Sequence, residues 1–158
     1  MLAGFCSPRR QLGHLPEILG SANFSGVAEP YELRFFEDVL DWIKTLAKED
    51  PDSHLHVIAA LERLQEVGPA LRRPTVGAIE KSRYRNMREL RPRNGGTVSI
   101  RMLFVFDPER RAIFLVAGNK AAGRQWAAWY PRAIKEAEDK YTSYLDALEQ
   151  EKKEGQGK

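Results

Sequence analysis

The residues best suited to chemistry lie in one short and strongly basic segment. Residues 72–101 contain 9 Lys and Arg against 2 Asp and Glu, a balance of +7, whereas residues 1–71 contain 6 against 11, a balance of −5. Such a local excess of positive charge attracts phosphate groups. A solvated arginine-rich surface, or a docking site for an acidic partner, would give the same count, so the charge alone does not identify the partner.

Arg101 stands out because it interrupts the apolar run at residues 98–106 (VSIRMLFVF). An unpaired charge in such a strand would be costly, so the side chain needs a partner or a function. We favour a functional role, in which the planar guanidinium holds two oxygens of a phosphate group. The alternative is that Arg101 points to an exposed sheet face and pairs with Glu89.

The elements that must position these residues follow from the spacing of the apolar residues. In chain order, the pattern predicts a strand, two helices that form a hairpin, an exposed aperiodic connection, three antiparallel strands and a long amphipathic helix. The predicted positions are residues 31–35, 36–46, 51–67, 70–86, 86–91, 98–106, 112–117 and 126–148.

The composition is typical of one globular domain: 158 residues, of which 42% are hydrophobic and 30% charged. We expect this domain at residues 29–150, after a poorly ordered extension at 1–28 and before a flexible polar tail at 151–158. No apolar run approaches the roughly 20 residues that span a bilayer, so we expect a cytoplasmic protein without membrane contact. A single cysteine, Cys6, excludes an internal disulfide and a cysteine-based metal site.

Two stretches of the sequence carry a family resemblance. KSRYRNMRELRPRNGG (residues 81–96) and IRMLFVFDPERRAIFLVAGNK (residues 100–120), in this order of elements, resemble the RelE/ParE superfamily of bacterial toxins, and in particular its HigB-like branch. The resemblance covers about residues 29–148. It implies an α+β fold in which a helical hairpin packs on a small antiparallel sheet, with a C-terminal helix.

The resemblance also implies an activity: the toxin component of a type II toxin–antitoxin system, acting as a ribosome-dependent endoribonuclease on messenger RNA. In this reaction the 2′-hydroxyl of the substrate attacks the neighbouring phosphate, and neither a metal nor another cofactor is required. The protein must accept a proton, neutralise the charge that develops on the phosphoryl oxygens and protonate the departing 5′-oxygen. Arg suits the second role, and Lys suits the first where other cations crowd it.

Matching the family's motifs to this sequence gives nine candidate site residues. Catalytic roles fall to Arg101 (stabilisation of the transition state), Lys120 (phosphate binding), Lys81 (general base) and Arg91. RNA-binding roles fall to Arg83, Arg85, Tyr84, Arg88 and Tyr130.

The spacing of these residues sharpens two of the assignments. Arg88 and Arg91 differ by three and so face opposite sides of a regular strand, and we favour Arg91 as the residue that lines the site. Tyr130 lies on the apolar stripe of the last helix, so packing is the alternative to stacking on a base. Many relatives carry a histidine at the site. The three histidines here lie outside the basic segment, which leaves the acid and base roles open and makes a zinc site improbable (His14, His54 and His56).

Alternatives to the nuclease remain open at this stage. A ParE-like toxin that acts on DNA gyrase without chemistry, or an inactive RNA-binding relative, could share the fold and the charge. The resemblance further implies two partners: messenger RNA on the ribosome and a cognate antitoxin with a helix-turn-helix domain. The acidic outer face of the helical hairpin and the basic face of the sheet are two possible docking surfaces for the antitoxin.

Overall fold

The chain combines a sheet with three long helices, in this computed structural model, which describes residues 12–14, 30–93, 99–119 and 126–156. In chain order the elements are β1 (Leu12–His14), β2 (Leu33–Phe36), α1 (Glu37–Glu49), α2 (Pro51–Val67), a short 3-10 helix (Gly68–Ala70), β3 (Val76–Ala78), β4 (Arg88–Leu90), β5 (Ile100–Phe106), β6 (Ala112–Asn119) and α3 (Trp126–Gln156). The predicted α+β class is therefore confirmed.

Local sequence signals define the hairpin of α1 and α2. The side chain of Asp50 caps α2 by accepting a hydrogen bond from the Ser53 N–H at 3.2 Å, and Pro51 occupies the first turn, where its missing N–H is not needed. The helix ends at Gly68, whose φ of 71° suits glycine, and a Cβ there would overlap the ring of Tyr31. The helical hairpin predicted from the sequence is confirmed.

The strands form one mixed sheet in the order β1-β2-β6-β5-β4-β3. Neighbours from β3 to β6 are antiparallel, so the predicted meander of β4, β5 and β6 is confirmed. The sheet, which was expected to be antiparallel, also contains one parallel pair, because β2 lies parallel to β6. The connection between these two strands contains α1, α2 and three other strands, and a connection of that length permits a parallel pair.

The segment at residues 70–86 differs most from its predicted form. It was expected to be an exposed connection, but it contains β3, and both Val76 and Ile79 are buried. A strand of three residues is too short to show alternation, and Gly77 at its centre gives no apolar signal. Of the predicted extension at residues 1–28, the structure describes β1, which pairs antiparallel with β2.

The last helix, α3, lies against the sheet through small and aromatic side chains. Ala133, Ala137, Tyr141 and Tyr144 are buried at helical spacing. The helix continues through the first part of the predicted tail as far as Gln156, because Glu, Lys and Gln are good helix formers. None of the helices in the described ranges is long and apolar enough to span a membrane.

A β-bulge fixes the middle of α3 to the sheet. Leu103 pairs with Val116 and Phe104 pairs with Phe114, so Leu115 is the extra residue of β6. The carbonyl of Leu115 accepts a hydrogen bond from Lys140 Nζ of α3 at 2.7 Å. The position of α3 along the sheet is therefore set by a specific polar contact as well as by burial.

Candidate functional site

The strand register brings two of the candidate arginines to one face of the sheet. Glu89 pairs with Leu103 across β4 and β5, and Arg101 pairs with Gly118 across β5 and β6. Because side chains two residues apart in a strand share a face, Arg91 and Arg101 project to the same side as Glu89. Arg88 precedes Glu89 and projects to the opposite side.

Two glycines leave room for larger groups on this face. A Cβ at Gly77 would lie 3.0 Å from Nη2 of Arg91, and a Cβ at Gly118 would lie 2.8 Å from Nε1 of Trp129. A side chain at Gly77 would therefore be crowded by Arg91, and one at Gly118 would require Trp129 to move. Gly77 thus gives space to the Arg91 guanidinium, and Gly118 lets the start of α3 approach the sheet closely.

Glu89 is the centre of the cluster, although it is an acid within the basic segment. It is 2% exposed. Its Oε1 accepts a hydrogen bond from Arg91 Nε at 2.7 Å and forms an ion pair with Arg91 Nη2 at 2.5 Å. Its Oε2 accepts a hydrogen bond from the Tyr130 hydroxyl at 2.7 Å. Both carboxylate oxygens therefore have partners, and the buried charge is compensated.

Arg101 lies beside this cluster and is only partly compensated. Its Nη1 donates to the carbonyl of Ile100 at 2.7 Å, and its buried Nε has no hydrogen-bond partner among the described residues. The ion pair with Glu89 that we considered from the sequence is made by Arg91 instead. Arg101 also interacts with Tyr130, so among the described residues the cluster contains one carboxylate and two guanidinium groups.

The proton of Tyr130 is held firmly at neutral pH. Burial raises the pKa of Tyr130, the hydrogen bond to Glu89 raises it further, and the positive charge of Arg101 acts in the opposite direction. The ring also makes an edge-to-face contact with Trp129, with 5.1 Å between ring centroids. Tyr130 is therefore a hydrogen-bond donor to the cluster.

Three further cations of the predicted site lie on residues 80–86, which we call the basic loop. Lys81, Arg83 and Arg85 are exposed, and Tyr84 packs edge-to-face against Tyr141 of α3 with 4.8 Å between ring centroids. The loop contacts α3 near Glu138, two turns or about 12 Å along the helix from Tyr130. The sheet-face cluster and the basic loop are thus joined by one helix.

Some of the nine predicted residues are not brought together by the structure. Arg88 is half-buried on the other face of the sheet, where it pairs with Phe104 across β4 and β5. Lys120 lies outside the described residues. Within the described ranges, no group of three or more His, Cys, Asp and Glu side chains is placed to hold a metal ion.

Sequence reasoning missed a second buried carboxylate, Asp107, which it treated only as part of a turn. Asp107 Oδ2 accepts from Arg111 Nε at 2.8 Å and from the Tyr144 hydroxyl at 2.7 Å, and Oδ1 accepts from the N–H groups of Glu109 and Arg111. Burial and the hydrogen bond to Asp107 raise the pKa of Tyr144. The short spacing of Asp107 and Arg111 could have predicted their ion pair, but Tyr144 lies 37 residues from Asp107 in the sequence.

Comparison with known proteins identifies the family of the chain. The family model of phage-derived Gp49-like proteins (DUF891) matches residues 41–142, and the chain belongs to this family. The Gp49-like family is a RelE-like toxin family, so the resemblance predicted from the sequence is confirmed.

Two similar proteins come from Mycobacterium tuberculosis. One, provisionally named toxin HigB2, is 42% identical over 116 residues, which are 73% of this chain and 55% of that protein. The other, provisionally named toxin HigB3, is 43% identical over 94 residues, which are 60% of this chain and 78% of that protein. The chain therefore spans about half the length of the first relative. No solved structure matches the chain.

Proposed function

We propose that this chain is the toxin component of a type II toxin–antitoxin system and that it cleaves messenger RNA on the ribosome as a metal-independent endoribonuclease. The observation that carries the proposal is the convergence of Arg91, Arg101 and Tyr130 on one sheet face, with more positive charge than Glu89 compensates. The names of the two mycobacterial relatives support the toxin class.

In the proposed reaction the bond from the 2′-oxygen to phosphorus forms while the bond from phosphorus to the 5′-oxygen breaks. A base takes the proton of the 2′-hydroxyl, and an acid protonates the departing 5′-oxygen. Arg101 stabilises the charge that develops on the phosphoryl oxygens, because its guanidinium is permanently charged and can donate from its Nη atoms; its Nε is buried and does not take part. Arg91 and Lys120 add positive charge, and Lys81 is the proposed base.

Binding of the RNA strand is assigned to the basic loop and its surroundings. Arg83 and Arg85 contact phosphates, while Tyr84 and Tyr130 border the RNA strand; Arg88 projects to the other face of the sheet and has no part in this surface. An aromatic ring with a free face can stack on an unpaired base. In the structure Tyr84 and Tyr130 already have partners, so we assign them mainly to shaping the surface.

The proposal includes a protein partner and a place of action. A cognate antitoxin with a helix-turn-helix domain would bind the toxin, and the toxin would act in the cytoplasm, where messenger RNA is translated. Electrostatic attraction between unlike surfaces would speed this association.

The test is expression of the chain alone, followed by mapping of transcript ends. We expect growth arrest and cuts within translated codons, and we expect Arg101→Ala to relieve both. Arg63→Ala is the matched control, because Arg63 is an exposed residue of α2 whose ion pair with Glu66 is a surface contact. Growth arrest with intact transcripts and altered DNA supercoiling would instead identify a gyrase-directed toxin.

A further inference from the structure

Glu138 of α3 makes two hydrogen bonds to the basic loop. Its Oε2 accepts from the backbone N–H of Arg83 at 2.7 Å and from the Ser82 hydroxyl at 3.0 Å. The Ser82 Oγ in turn accepts from the N–H of Tyr84 at 3.1 Å. A single carboxylate oxygen, 55 residues away in sequence from Arg83, thus fixes the backbone at the tip of the loop.

Thr142, one turn further along α3, adds two side-chain contacts. Its Oγ1 accepts from Arg83 Nη2 at 2.7 Å and lies 2.5 Å from the Tyr84 hydroxyl. Because the Thr142 hydroxyl donates its one proton to the carbonyl of Glu138 at 2.9 Å, Tyr84 is the donor in the contact with Thr142. The loop is therefore held by α3 through both main chain and side chains.

The loop has little internal structure with which to hold itself. Its base is closed by the N–H of Met87, which donates to the carbonyl of Tyr84 at 3.1 Å, and by the N–H of Ile79, which donates to the carbonyl of Met87 at 3.1 Å. At its end, the Asn86 amide donates to the Phe106 carbonyl and to the Tyr141 hydroxyl. Three exposed cations on so short a segment repel one another, and each loses side-chain freedom if it is to act in a fixed position. An external anchor is the feature that makes a defined arrangement of these cations possible.

We propose that Glu138 is a positioning residue for RNA binding: it holds the basic loop in the conformation in which Lys81, Arg83 and Arg85 contact RNA phosphates together. The inference rests on the proposed function, since it assigns the loop to RNA. Glu138 touches no substrate in this proposal and acts only through the loop.

Simple electrostatics makes the opposite prediction, which gives the proposal a sharp test. A carboxylate beside an RNA-binding surface repels phosphate, so its removal should tighten RNA binding if charge alone matters. If Glu138 positions the loop, its removal should weaken RNA binding despite the loss of a negative charge, because the cations must then be ordered at the moment of binding.

The experiment uses the full chain and three substitutions. Glu138→Ala removes the hydrogen-bond acceptor, Glu138→Gln removes the charge but keeps a side-chain oxygen, and Asp139→Ala removes an equal charge from the neighbouring residue, whose ion pair with Lys135 is exposed. Fluorescence anisotropy measures affinity for a short, labelled, single-stranded RNA. Hydrogen exchange at the Arg83 amide reports the loop directly and does not depend on RNA.

We expect Glu138→Ala to weaken RNA binding about tenfold, because the loop must then become ordered when the RNA binds. Glu138→Gln should stay within about twofold of the wild type, and Asp139→Ala should equal it or bind slightly more tightly. The Arg83 amide should exchange faster in Glu138→Ala alone. The thermal midpoint should change little in all three variants, because these contacts lie at the surface.

The proposal is overturned if Glu138→Ala binds RNA as tightly as the wild type, or if Glu138→Gln is as weak as Glu138→Ala. A wild-type chain that neither binds nor cuts RNA would overturn the proposed function itself. In that case the exchange rate of the Arg83 amide still shows whether Glu138 holds the loop, so the two failures can be told apart.

Discussion

Two buried carboxylates of this protein have the same kinds of partner, but the charges around them are compensated to different extents. Glu89 and Asp107 are 2% and 4% exposed, and each binds an arginine from its own segment and a tyrosine hydroxyl from α3. Tyr130 and Tyr144 are 14 residues apart, which brings them to nearly the same face of the helix. The same construction thus occurs twice along α3.

The difference lies in how completely each cluster is compensated. Asp107 accepts hydrogen bonds from two backbone N–H groups in addition to those from Arg111 and Tyr144. The guanidinium of Arg111 also forms ion pairs with Glu109 and Glu32. Glu89, in contrast, is paired with Arg91, whereas Arg101 interacts with the Ile100 carbonyl and with Tyr130, and its buried Nε has no hydrogen-bond partner among the described residues. A closed network stabilises the fold, whereas a network with surplus positive charge can still bind an anion.

Loss of Asp107 should have the largest effect on stability. Asp107→Ala leaves the Arg111 charge and the Tyr144 hydroxyl without their buried partner, and breaking such a network costs about 3–5 kcal/mol. Urea unfolding followed by circular dichroism measures the free energy of unfolding. Glu109→Ala on the same turn is the control, and should cost no more than about 0.5 kcal/mol because Glu109 is exposed. A loss below about 1 kcal/mol for Asp107→Ala would show that the network is not closed as described.

Arg101→Met should reverse this pattern. The substitution keeps an apolar stem in the strand and removes a buried N–H that has no hydrogen-bond partner among the described residues, so the free energy of unfolding should change by less than about 1 kcal/mol. RNA cleavage on programmed ribosomes should fall about 10²–10³-fold, as expected for loss of one donor that stabilises developing charge. Cleavage at the wild-type rate, or a destabilisation equal to that of Asp107→Ala, would place Arg101 in a structural network instead.

The contrast between the clusters also shows what the sequence could predict. The helical hairpin, the meander and α3 followed from local periodicity, and Arg101 was noticed because a charge interrupts an apolar strand. Strand alternation predicted that Arg88 and Arg91 face opposite sides, and in the structure Arg91 lies on the face of Glu89 and Arg101. These features depend on neighbours only a few residues apart.

Features that depend on distant residues could not be derived in this way. The parallel pairing of β2 with β6 joins segments about 80 residues apart, and β3 is too short to show a period. The partner of Glu89 is Tyr130, 41 residues away, and the anchor of the basic loop is 55 residues away. Such contacts are set by packing of the whole domain, which single-sequence patterns do not encode.

The smallest expected effect concerns the two tyrosines at high pH. Folding raises the pKa of both, mainly through burial, so each phenol keeps its proton in the folded state when the unfolded chain has begun to lose it. The stability that they contribute is therefore complete below about pH 10, the ordinary tyrosine pKa, and is lost as the pH rises through the higher pKa of the folded state.

Tyr144→Phe and Tyr130→Phe separate the contributions of the two clusters. At pH 7 each should cost about 1 kcal/mol for the lost hydrogen bond. Between pH 9 and about pH 11 the wild type should lose stability faster than Tyr144→Phe, whereas Tyr130→Phe should follow the wild type more closely, because Tyr130 is half-exposed and less shielded from water. Urea unfolding at a series of pH values measures this, and equal slopes for all three proteins would contradict the description of Asp107 as the more closed of the two networks.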